Sequence, residues 1–478
     1  REHPSNALYN NAQFTGNLEI NALFMPLSCQ VSGDLMIKDA RDLNYLKNLQ
    51  TATCSGKTTL AISAISIGES LSFPGLKDLH LRVINDCTLM GIIKAPRIST
   101  LFDKNLSIGH AGAQTKPVLG GFITTSGDLS LNVTKGMTAP GIIFDSKQNL
   151  SLVVGENAVL GDFILSPYNK ERGLGYSKDV FGNETMIPYF DVNGSILSAQ
   201  GQIVRISAGS LHLQGIRIRS NGEEQKEGLY AGGDVFLNAE KSIDMTRSLP
   251  FGRGSMMLKA PSVNLLTKGQ GNYVNSASCH GCTFDAKKQP FLSDSTILQF
   301  FDTVSFDAQK TLISASQVHA GKEIIGLSAG QFKTQALVDI QVRIGNNHRK
   351  EDREIQRMFW VETREQSHDR YWEPNYSQVL PTILRSGRRI LMDSGTGLLA
   401  EMNINSQEVR LHARESMMVV SDLERKEIAA ANQPIVQNLY TFSRTQAHLN
   451  NNFLMESKEG HIRPLLPMSG LKFQDLGH

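Results

Sequence analysis

No run of 18 or more apolar residues occurs in the 478-residue chain, so no segment has the length and hydropathy of a membrane-spanning helix. An excess of one charge is lacking too: 48 Lys and Arg against 46 Asp and Glu leave +2. That balance removes the basic footprint of a protein that binds nucleic acid or an anionic membrane. Cysteine is sparse and odd in number, at positions 29, 54, 87, 279 and 282, and such a set does not identify a redox compartment. Helical spacing of apolar residues is missing from the segments that repeat. The first residues, Arg1-Glu-His-Pro-Ser5, contain neither an initiator Met nor a signal peptide, as expected of a piece of something longer or of a processed product.

What the chain does have is one phrase: a small residue, two polar or turn-forming residues, then two aliphatic residues spaced two apart, closed by a small or polar residue. It recurs as Ser126-Gly-Asp-Leu-Ser-Leu-Asn-Val133, Ala208-Gly-Ser-Leu-His-Leu-Gln-Gly215, Ala260-Pro-Ser-Val-Asn-Leu-Leu-Thr267 and Ser406-Gln-Glu-Val-Arg-Leu-His-Ala413, with a longer copy from Ala239. Aliphatic residues two apart share one face of a strand. A unit this short buries nothing alone, so copies must stack. Leu106 to Leu129 is 23 residues, Leu129 to Leu150 is 21, Leu211 to Val235 is 24 and Ile243 to Val263 is 20, with further short strands inside each interval. Two or three strands per turn of about 20 residues describe an all-β, right-handed parallel β-helix. A β-sandwich of many short strands is the competing fold. Gly33-Asp34, Gly127-Asp128 and Gly233-Asp234 precede strands and supply positive φ and local side-chain hydrogen bonds for sharp corners. About 16 to 20 coils at about 4.8 Å each predict a shaft of roughly 80 to 100 Å.

The phrase divides the chain into a parallel β-helix over 1–345 with loop insertions near 166–196 and 268–300, a charged and aromatic insertion over 346–385 expected to project as a hairpin, and a resumed β-helix over 386–478 with a second insertion near 421–455. Both tryptophans, Trp360 and Trp372, lie in the 346–385 insertion with Phe359 and Tyr371. Rings mixed with Arg are enriched at interaction surfaces and serve equally to cover a shaft. These four residues are the candidate partner contact. Ser421-Asp-Leu-Glu424 has capping-box spacing ahead of Lys426 to Ala431 and Pro434, which predicts one short helix there.

Several motifs resemble chemistry without its context. Gly326-Leu-Ser-Ala-Gly330 matches a nucleophile elbow, which needs a strand running into a helix, whereas here it sits in another copy of the repeat. Cys54-Ser-Gly-Lys-Thr-Thr59 resembles the end of a phosphate-binding loop, but Thr51 stands where its first glycine belongs. Cys279-His-Gly-Cys282 has redox-motif spacing without a strand-to-helix setting, and is read as a loop-closing disulfide between Cys279 and Cys282. Cys29 and Cys54, 25 residues apart, fit either a bridge between neighbouring coils or two buried thiols.

The Gly-Asp-Leu-Ser-Leu copy at 127–131 and Ala231-Gly-Gly-Asp-Val-Phe-Leu-Asn-Ala239, matched in type by Ser386-Gly-Arg-Arg-Ile-Leu-Met-Asp-Ser394, resemble the haemagglutinin-type repeats of filamentous haemagglutinin and of the contact-dependent growth inhibition exoproteins of Gram-negative bacteria. The resemblance covers most of residues 16–420. It implies a rod exported by an outer-membrane two-partner transporter to the bacterial cell surface or medium, carrying binding or toxin modules toward a receptor on a target or host cell. It implies no catalytic residue, cofactor or metal. The alternative is a β-helical polysaccharide lyase or glycosidase, which needs clustered carboxylates or acidic calcium ligands; Asp244 and Asp393 each stand alone in their copies.

Overall fold

The computed structural model describes residues 11–21, 27–40, 43–63, 66–110, 118–161, 175–178, 181, 184–187, 196–201, 203–226, 229–267, 274–275, 295–335, 337–347, 356–357, 360–361, 369–380, 382–400, 402–420, 423–428, 436–442 and 446–462. Within them one 31-stranded sheet, paired in parallel from coil to coil, winds as a β-helix. Its first face carries an inward ladder in continuous register: Leu18, Leu35, Thr58, Leu79, Ile98, Leu129, Leu150, Val204, Val235, Met256, Val304, Ile324, Ile390, Val409 and Phe453. Every member from Leu18 to Val409 is buried. The fourteen steps between these residues, at about 4.8 Å each, make a shaft of about 67 Å.

The small residue that heads the phrase has a structural reason. In three copies, at Ala208, Ala239 and Ala260, it stands in a corner ladder whose other members are Val133, Val154, Ala308, Ser328, Ser394 and Ala413, of which Val133 and Ala413 close their copies. Immediately after it the pairing slips at Val154/Asn157, Ala208/Ser210, Ala308/Lys310, Ser328/Gln331 and Ser394/Thr396. A bulge bends a strand without ending it, so single strands such as Leu150–Gly161 and Asp234–Thr246 run through the corner onto the second face. There Cys87, Leu106, Met137, Ala158, Leu211, Ile243, Val263, Thr311 and Phe332 align. Two of the sequence intervals, Leu106 to Leu129 and Leu211 to Val235, therefore join different faces rather than successive coils.

The third face stacks Leu71, Ile93, Phe122, Phe144, Leu197, Ile218 and Pro250, then Leu298, Val318, Leu384 and Ile404. Phe122 packs its ring against Phe102 at 6.5 Å and Phe144 at 5.8 Å. The Gly-Asp pairs act between coils. Asp34 Oδ1 accepts from Lys57 N–H at 2.8 Å, Asp128 Oδ1 from Asn149 N–H at 3.1 Å and Asp234 Oδ1 from Ser255 N–H at 2.6 Å. These carboxylates tie each corner to the next one, where the sequence suggested local turn bonds.

The helix expected over Lys426–Ala431 is corrected. Leu423–Ile428 is a strand, antiparallel to Val436–Phe442, because pairing with that second strand overrides a modest helical preference; 429–431 lie outside the described residues. The helical segment that is described is a 3-10 stretch, Leu43–Leu49, which buries Leu46 and Leu49.

Candidate functional site

The corner between the second and third faces is where the shaft opens. In three uninterrupted coils it is closed by one left-handed residue, Gly215 at φ 60, Arg247 at φ 53 and Ala315 at φ 46, whereas Leu89 to Ile92 and Ala139 to Ile142 turn the corner without one. Elsewhere longer segments take that place. They leave after Ile108, Gly161, Leu266, Gln335 and Val420 and rejoin the third face at Gly120, Ile196, Ile297, Thr382 and Gln446. Five excursions thus share one edge of the rod. Among the described residues one further hairpin, Glu223–Lys226 with Leu229–Ala231, leaves from a different corner, between the third and first faces. The shaft strands at Ile297–Phe300, Thr382–Ser386 and Gln446–Ile462 begin inside the segments expected to be insertions near 268–300, 346–385 and 421–455.

The excursion between Gln335 and Thr382 is an antiparallel pair, Leu337–Asn347 with Asp369–Leu380, plus a short hairpin of Gln356–Arg357 with Trp360–Val361. Within this pair Trp372 stands in register with Ile344 and Tyr371 with Gly345. Of the candidate contact residues, Trp372 and Tyr371 lie in the strand Asp369–Leu380, Trp360 lies in the nested hairpin, and Phe359 lies outside the described residues.

The excursions also join one another. Val274–Asn275, from the segment after Leu266, pairs in parallel with Arg343–Ile344, and Asp369–Leu380 lies beside Val436–Phe442. The hairpin Gly175–Lys178 with Glu184–Ile187 has Phe181 at its tip, and Arg385 of the third face stacks over that ring at 4.1 Å. On the same face Gln299, Gln317 and His319 alternate with the inward Leu298, Phe300, Val318 and Ala320, yet they are buried at 8, 9 and 4% exposure. His319 Nε2 lies 3.1 Å from Gln317 Oε1. An outward face that is buried is a covered face. Sequence reasoning missed this grouping, because the shared corner is visible only after strands are assigned to faces.

The remaining motifs resolve as parts of the coil. Ser328 lies inside the strand Glu323–Gln335, 1% exposed, its Oγ 2.8 Å from Thr311 Oγ1. Lys57, Thr58 and Thr59 lie in the strand Thr53–Ile62. Asp244 Oδ2 meets His212 Nδ1 at 3.2 Å, and Asp244 Oδ1 accepts from Asn264 Nδ2 at 2.6 Å. Asp393 meets His412 Nδ1 at 3.1 Å on another face. Cys54 is in register with Val31, two positions from Cys29; both thiols and Cys87 are free and buried. Burial, and then the neighbouring Cys54, raises the Cys29 thiol pKa, and burial alone raises that of Cys87 to about 12. Cys279 and Cys282 lie outside the described residues. Comparison with known proteins adds no relative: no family model, no curated protein and no solved structure matches the chain.

Proposed function

We propose that this chain is the extracellular β-helical stalk of a secreted bacterial adhesin or toxin-delivery exoprotein, giving reach and displaying binding elements along one edge. The observation that carries it is the shared corner: five excursions leave between the second and third faces, and those after Leu266, Gln335 and Val420 adjoin laterally. A rod that only spans distance has no need to gather its insertions on one edge. The haemagglutinin-type phrase supplies the remainder of the proposal, namely export by an outer-membrane two-partner transporter, residence at the cell surface or in the medium, and a receptor on the target cell.

Trp360 and Trp372 are proposed as the contact residues of that edge, being aromatic anchors in an excursion rich in Arg. The test is attachment of the purified chain to target cells, comparing the parent with Trp360→Ala/Trp372→Ala. Attachment weakened at least tenfold with an unchanged melting curve supports the assignment; equal attachment contradicts it.

A further inference from the structure

The guanidinium of Arg253 lies over two rings, its Cζ 4.4 Å from the centroid of Tyr230 and 4.7 Å from that of Phe301. Tyr230 is delivered by the hairpin at the corner between the third and first faces. Phe301 follows the inward Phe300 one coil on from Gly252. Phe251 meets Phe301 edge-on at 6.0 Å, and Phe301 remains 37% exposed. Arg219, also exposed, stands in register with Phe251. Among the described residues no carboxylate comes within 4.0 Å of either guanidinium, and neither donates a side-chain hydrogen bond. Asp234 and Asp302 are engaged elsewhere, by Ser255 N–H and by Lys322 Nζ at 2.9 Å, while Glu223 and Glu224 lie on the hairpin that carries Tyr230, Glu224 in register with it.

An arginine oriented by rings and left without an acid keeps its planar N–H fork for an incoming oxyanion. Ring contact also restricts the side chain before binding, so less order is lost when a ligand arrives. We propose that Arg253 and Arg219, with the Phe251 and Phe301 rings between them, form a binding site for an acidic saccharide. The sugar carboxylate takes the Arg253 fork, the second arginine takes a neighbouring carboxylate, and the C–H face of the sugar rests on the ring pair. An acidic peptide offers the same carboxylate without a rigid apolar face to match the rings, which favours the saccharide. The site lies at a different corner from the excursion edge and does not depend on the stalk proposal.

The experiment is titration calorimetry of the full chain with an oligogalacturonate, the matching neutral oligogalactose and a short polyglutamate. The expected result is binding of the oligogalacturonate only. Arg253→Gln should weaken it at least tenfold, and Arg253→Lys, which keeps the charge but loses the planar fork, should weaken it several-fold. Phe301→Leu, which spares both arginines, should also weaken it, so the assignment stays testable if an Arg253 variant misfolds. No binding by the parent, equal binding of neutral sugar or polyglutamate, or undiminished binding by folded Arg253→Gln would overturn the site.

Discussion

Asp128 Oδ1 accepts two hydrogen bonds from Asn149 one coil later, from the backbone N–H at 3.1 Å and from Nδ2 at 3.0 Å. Asn149 Oδ1 then accepts from Ile203 N–H at 3.1 Å, so one relay spans three coils. Asp128→Ala leaves an Asn149 donor without its acceptor, which costs about 1 to 3 kcal/mol. Asp128→Asn keeps an acceptor and should lose less. Thermal denaturation of both variants checks the order.

Phe300 lies directly over Gly252 in register. A Cβ on Gly252 would stand 2.7 Å from the ring's Cδ1, and closer still to Cε1 and to the backbone oxygen of Gly233, which no change at Phe300 removes. Gly252→Ala should destabilise by about 1 to 3 kcal/mol, the usual cost of overpacking. Pairing it with Phe300→Leu should recover part of the loss; a double variant no better than the sum of the singles would show that the ring is not the obstacle.

Thr58 and Thr100 occupy inward ladder positions between aliphatic neighbours, 0 and 2% exposed, and neither Oγ1 has a hydrogen-bond partner among the described residues. Valine has the same shape without the stranded hydroxyl. Thr58→Val and Thr100→Val should each stabilise by about 1 kcal/mol, read as a rise in denaturation midpoint at constant m-value.

His80 is held below its ordinary pKa of 6.5, chiefly by burial, with Asp78 opposing the shift and Lys57 adding to it. The unfolded chain therefore takes up this proton more readily than the folded one. Stability from this group is complete above 6.5, falls as pH drops through the unfolded value, and levels off below the folded one. His80→Gln should flatten this part of the stability profile between pH 7 and 5; a profile as steep as the parent's would contradict the assignment.

Much of the shaft was legible because its signal is local. Leu129/Leu131 and Leu150/Leu152 alternate in sequence and then stand in register. The corner role of Ala208 is visible in the sequence only as a small residue heading a phrase, since the bulge that explains it belongs to the pairing of two coils. The capping spacing at 421–424, a local signal, predicts a helix over 426–431, whereas the strand Leu423–Ile428 that forms instead finds its partner at Val436–Phe442. Arg253 gave no signal, because Tyr230 and Phe301 meet it through folding alone.

The central claim is that contact with a target is made along one edge of the rod. A photo-crosslinking residue placed at Trp360, on an excursion, or at Asn132 or Lys259, exposed positions of the first face, tests it directly. Incubated with target cells and irradiated, the Trp360 derivative should capture a cell-surface product and the other two should not. Equal capture from the first face would contradict the account.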